Sequence, residues 1–108
     1  MNLPTEVFGS VVVVHTPEEL GHDHAEKLVH CVGRLERDLV VIDLDNTEMI
    51  DSAGLSALLD VQDKLRGIGG QLKIATTNHT NRKILEITRL DRYLDVFDSV
   101  IDAVKSFR

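Results

Sequence analysis

The apolar run Leu39-Val40-Val41-Ile42-Asp43-Leu44, followed six residues later by Asp51-Ser52-Ala53-Gly54-Leu55, decides how this sequence folds. The first stretch is a short, nearly continuous apolar run with β-branched residues at its centre, so it reads as a strand with both faces covered. Its neighbours on both sides read as helices, which predicts a central place in a parallel or mixed sheet. After the polar Asp45-Asn46-Thr47-Glu48, a helix is expected to begin around Asp51 or Ser52. Its predicted apolar stripe is Leu55, Leu58, Leu59 and Leu65, with Ala57 and Val61 at the edges, and its stop is Gly67 and Gly69-Gly70.

Outward from that unit the same alternation continues. Upstream, Val11-Val12-Val13-Val14 reads as a second buried strand, and residues 5–8 can pair with it through a turn at Gly9-Ser10. From Ala25 onward, Leu28, Val29, Val32 and Leu35 keep helical spacing. Downstream, residues 71–75 read as a short strand and residues 81–88 as a short helix. Residues 95–97 form a last strand, and Val100, Ile101, Val104 and Phe107 mark a closing helix. Strands alternating with helices predict an α/β fold: one domain over residues 1–108, a small mixed sheet of four to five strands and about four flanking helices.

Length and composition agree. The 108 residues can bury roughly two thirds of their unfolded surface, enough for a core without staples. With 12 Lys plus Arg against 18 Asp plus Glu, the charge of −6 does not suit a protein that works by neutralising phosphates, so no direct nucleic-acid partner is expected. No apolar run approaches a membrane span. The first residues lack a basic start and apolar block, and the single Cys31 fits a reducing compartment; the expected location is the cytoplasm.

The most informative position is the start of the second helix. An acid and a small hydroxyl residue before an apolar helix are capping chemistry, since Asp51 or Ser52 can accept from free backbone N–H groups. The same position would receive a phosphate well, because the dipole and those N–H groups favour negative charge. Capping is the ordinary reading and a phosphorylation or anion site the sharper one.

The strand 41–44, the Asp51-Ser52-Ala53-Gly54-Leu55 motif and Gly69-Gly70 together resemble the STAS family, the anti-sigma factor antagonists and their relatives, and the resemblance runs almost end to end. It implies a regulatory binding module with no enzymatic turnover and no cofactor. The family's phosphorylated Ser directly follows the acid, which matches Ser52. The implied partner is an anti-sigma factor that is also a serine protein kinase, with a separate phosphatase for reset. Asp51, Ser52, Ala53 and Gly54 would form the contact surface. Two departures stand out. The family's Gly-x-Leu-Asp after the early strand reads Glu18-Glu19-Leu20-Gly21, so an acid is missing and Asp23 is the candidate to replace it. The family's small-Gly-Leu near the end reads Thr88-Arg89-Leu90.

Other signals have plainer readings. His22-Asp23-His24, with His15 and His30, has ligand types suited to zinc but no standard spacing, so it reads as a solvated helix start, with no metal. Cys31 beside the apolar stripe is a small core filler. Gly67-Ile68-Gly69-Gly70 follows a helix and precedes a strand, the wrong order for a phosphate loop. The acid pairs Asp43/Asp45 and Asp91/Asp95 lack a nucleophile or metal cluster, so no enzyme is expected. Arg82, Lys83, Arg89 and Arg92 form the one local basic group, ordinarily a solvated face and alternatively a partner contact. Two further functions stay open: a constitutive STAS subunit of a transporter or signalling complex, and a small-ligand sensor at the helix start.

Overall fold

In the computed structural model, which describes residues 3–107, the run 39–43 becomes the central strand of a five-stranded sheet. The elements are β1 (Thr5–Phe8), β2 (Val11–His15), β3 (Glu19–Leu20), α1 (His22–Gly33), β4 (Leu39–Asp43), β5 (Met49–Ile50) and α2 (Ser52–Gly67). They continue with β6 (Gln71–Ala75), α3 (His79–Ile87), a 3-10 turn (Leu90–Arg92), β7 (Asp95–Phe97) and α4 (Val100–Lys105). The sheet order is β1-β2-β4-β6-β7, with β1 antiparallel to β2 and every other pairing parallel. The expected mixed sheet and four helices are therefore present. The β1–β2 hairpin turns at Gly9, whose φ of +63° is in the left-handed region.

The period of two along a strand explains the four consecutive valines. Val12 and Val14 join Val40, Ile42, Leu72 and Ile74 on the face covered by α1, α2 and α3, where Leu28, Leu58 and Leu85 complete the larger core. Val11 and Val13 join Val41 and Ala75 on the opposite face, sealed by Ala103 of α4 with Val100, Val104 and Phe107. Both faces are apolar because both carry helices. Lys73 lies on the α4 side with its Nζ 5.4 Å from the Phe97 ring centre and 5.1 Å from that of Phe107, and 3.5 Å from Asp95. Its long stem covers apolar surface while its charge is held at the rim.

Three expectations shift. α1 starts at His22, three residues before the apolar pattern begins, so the His-rich stretch is its first turn; Leu35 packs on the core from beyond the helix end. The stripe of α2 is centred on Ala57, Leu58, Val61 and Leu65, while Leu55 and Leu59 are only partly buried, because α2 is covered by α1 as well as by the sheet. The last helix ends at Lys105, leaving Phe107 just beyond it. The glycine stop behaves as read: Gly69 has φ +80°, and Gly70 lies so close to Asp38 that a Cβ would come within 3.1 Å of the Asp38 carbonyl carbon.

Candidate functional site

The chain reaches Ser52 through a second, two-stranded sheet in which β3 runs parallel to β5, Glu19 opposite Met49 and Leu20 opposite Ile50. Glu18 O accepts from the amides of Glu48 and Met49 at 2.7 and 3.2 Å, and Leu20 O accepts from Asp51 N at 3.3 Å. These bonds fix the approach to α2 before its first turn. Gly54 completes the fit: a Cβ there would overlap the Leu20 carbonyl oxygen and lie 2.9 Å from its carbon and 3.1 Å from Ile50 Cγ2. The glycine of the motif is thus the residue that lets α2 start directly on β3.

Of the two candidate caps, Asp51 does the work. Its Oδ1 accepts from Gly54 N at 3.0 Å and its Oδ2 from His22 N at 3.3 Å, so one carboxylate joins the first turns of α1 and α2. The Gly54 amide is the main cause that holds the Asp51 carboxyl below its ordinary pKa. Desolvation opposes it, while the amides of His22 and Ala53 and the His22 charge add to the lowering. Gly21 makes room for this arrangement, since a Cβ there would sit 2.6 Å from Asp51 Oδ2.

Ser52 is the first residue of α2, is exposed, and has a hydroxyl not engaged in capping. Ala53 beside it is half-buried and lines an open groove of about 540 Å³ between α1 and α2, together with Ala25, Val29, Ala57 and Asp60. Asp23 is exposed on the first turn of α1, next to the residue whose amide meets Asp51. Gly54, by contrast, is buried under this surface. Met49, 64% exposed, stands just ahead of the motif.

Sequence reading missed what supports the loop between β4 and β5. The fully buried Asn81 donates from Nδ2 to Leu44 O at 3.2 Å and to Thr47 O at 2.7 Å. The buried Thr16 and Thr47 hydroxyls face each other, and Thr16 Oγ1 donates to Asp43 O at 3.1 Å. Asp45 accepts from Thr77 N and Oγ1 at 2.6 and 3.1 Å. Three segments far apart in sequence contribute these groups, so no local pattern marks them. The Asp43 carboxylate meets His15 on one oxygen and the Asp45 backbone on the other: His15 Nδ1 lies 2.9 Å from Asp43 Oδ2, Asp45 N donates to Asp43 Oδ1 at 3.0 Å, and His15 Nε2 is 2.6 Å from Glu6 Oε1. Among the described residues no group of three or more His, Cys, Asp or Glu could hold a metal ion, and no helix is long and apolar enough to cross a membrane. Cys31 is half-buried against the larger core.

Comparison with known proteins gives this geometry a family. The anti-sigma F factor antagonist of Paenibacillus polymyxa is 24% identical over 111 residues, covering 96% of this chain and 94% of that protein. The crystal structure of an anti-sigma factor antagonist from Mycobacterium paratuberculosis superposes with a TM-score of 0.86 at 24% identity, covering 97% of this chain and 92% of that one. The Bacillus cell fate determinant SpoIIAA in its phosphorylated form has the same fold, with a TM-score of 0.68 at 18% identity over 98% of this chain and 99% of its own. The model of the STAS domain matches residues 2–103, and the chain therefore belongs to the STAS domain family.

Proposed function

We propose that this protein is an anti-sigma factor antagonist-like switch, a binding module without turnover of its own, whose affinity for a serine kinase that doubles as an anti-sigma factor is set by phosphorylation of Ser52. The observation that carries this reading is the exposed hydroxyl at the first residue of α2, left unoccupied because Asp51 takes the cap. A hydroxyl engaged as the cap would have to break that bond before it could be modified. Support also comes from a fold relative described in a phosphorylated form. Asp51, Ser52, Ala53 and Asp23 form the contact surface, with Gly54 beneath setting its height. The unmodified protein binds the kinase and releases a sigma factor; the phosphorylated protein lets go, and a phosphatase resets it. The kinase's ATP puts this cycle in the cytoplasm.

Release follows from interface physics. A phosphoryl group adds about −1.5 to −2 charges beside the Asp51 carboxylate, and in a closed interface it brings steric exclusion, desolvation and like charge together. The test is phosphopeptide mass spectrometry on the protein purified from its native cells, before and after phosphatase, together with kinase binding by Ser52→Ala and Ser52→Asp. Phosphate on Ser52, with binding by the Ala variant and loss in the Asp variant, is the expected result. Equal binding by both variants would sink the switch and leave a constitutive subunit in which Ser52 only begins a helix.

A further inference from the structure

A cationic corner sits at the other end of α2. About 21 Å of helix separates Ser52 from Arg66 in the last turn. Arg66 and Arg92 line one small open cavity of about 290 Å³ with Gln71, Tyr93 and Asp95. Arg89 does not line this cavity but opens the 3-10 turn that carries Arg92, its carbonyl accepting from Arg92 N at 3.2 Å. Among the described residues none of these three guanidinium groups is in an ion pair, whereas the nearby Arg82 is held by Asp98 and Glu86. Tyr93 is 63% exposed, yet its backbone is anchored by the buried amide of Gln62, which donates to its carbonyl. The corner is therefore a fixed surface with free cations.

The backbone explains how Arg89 comes to stand clear of α3. Arg89 has φ +62° and ψ 19°, a left-handed conformation that costs a side-chain-bearing residue energy and suits glycine. The turn ends α3, the Arg89 amide donating back to Glu86 O at 3.0 Å, and leaves the Arg89 side chain exposed, with no hydrogen bond among the described residues.

We propose that Arg66, Arg89, Arg92 and Tyr93 form a docking site for an acidic segment of a partner protein. Guanidinium groups take carboxylates in pairs of parallel hydrogen bonds, and Arg and Tyr are the side chains that most often dominate interface energy. Asp91 and Asp95 interrupt the positive surface, and the whole chain carries −6, so a continuous polyanion such as nucleic acid is disfavoured while separate carboxylates are accepted. The site is independent of the Ser52 switch and far enough from it for both to be occupied together.

The test is an NMR titration of the full chain, isotope-labelled, with an oligo-glutamate peptide at low ionic strength. Shifts confined to Arg66, Gln71, Arg89, Arg92 and Tyr93 are expected. Arg66→Ala and Arg92→Ala should each weaken binding about three- to fivefold, in the range of exposed ion pairs. The Arg66→Glu, Arg92→Glu double variant should abolish binding with an unchanged melting curve, and Ser52→Asp should leave it intact. Arg89→Gly should weaken binding while raising the melting temperature, which a merely structural arginine would not do. Absent or scattered shifts overturn the proposal. So does an oligonucleotide of equal charge that moves these residues at lower concentration than the peptide. Concentration-dependent shifts of this corner and of the Ser52 surface without peptide would assign the site to a second copy and equally overturn it.

Discussion

Arg89 and Asp51 show how single residues set energies at this scale. Relief of the left-handed strain at Arg89 by Arg89→Gly should stabilise the fold by about 1 kcal/mol or less, because glycine's greater freedom in the unfolded chain offsets part of the gain; urea denaturation measures it. Asp51 makes a pH prediction with a definite sign. Its carboxyl pKa is lowered in the folded state, first by the Gly54 amide, so its ionised form contributes stability at pH values above the unfolded pKa. That contribution disappears as pH falls through the lowered folded value. Asp51→Asn keeps a capping oxygen but removes the charge, so the variant should melt below the parent at neutral pH, with the gap closing in acid. A gap independent of pH would show that geometry alone, and not charge, makes the cap.

At the scale of elements, the decisive contact is the one between α2 and the β3–β5 pair. Gly54→Ala places a methyl group against the Leu20 carbonyl and Ile50 Cγ2, and neither the paired backbone nor the capped helix can retreat without breaking bonds. Overpacking of this kind costs about 1–3 kcal/mol, and it should lower urea stability by that amount while weakening partner binding through a displaced Ser52. The same place marks the limit of what the residues disclose in advance. β2, β4 and α2 are legible because long apolar runs and a three-four spacing repeat enough to be recognised. β3 and β5 have two residues each, too few for any period, and are strands only because their backbones meet. Ser52 and Asp51 could be found as a capping pair, but which one caps depends on the residue at which α2 starts, and it starts at Ser52 with Asp51 accepting from Gly54 N. The Thr16, Thr47 and Asn81 cluster looks like ordinary loop and helix-start chemistry until the fold buries it.

For the whole molecule, the proposed phosphorylation of Ser52 raises the question whether its effect would travel through the fold or stay on its surface. The parallel strands are sealed on both faces, the loop before β5 is tied down by Asn81, and the start of α2 is pinned by Asp51, Gly54 and Leu20. A phosphoryl group at the first residue of α2 meets the positive end of its own helix dipole, which favours it, and the Asp51 carboxylate, which opposes it. Both effects act at an exposed position where water screens them, so neither is large enough to reorganise a close-packed interior. Phosphorylated Ser52 should therefore leave the far-ultraviolet circular dichroism unchanged and the melting temperature close to that of the unmodified protein, while kinase affinity falls by an order of magnitude or more. Amide shifts should stay within the first turns of α1 and α2. If the spectrum or the melting temperature dropped sharply on modification, the switch would be a conformational one, and the rigid support beneath Ser52 would have been assigned the wrong role.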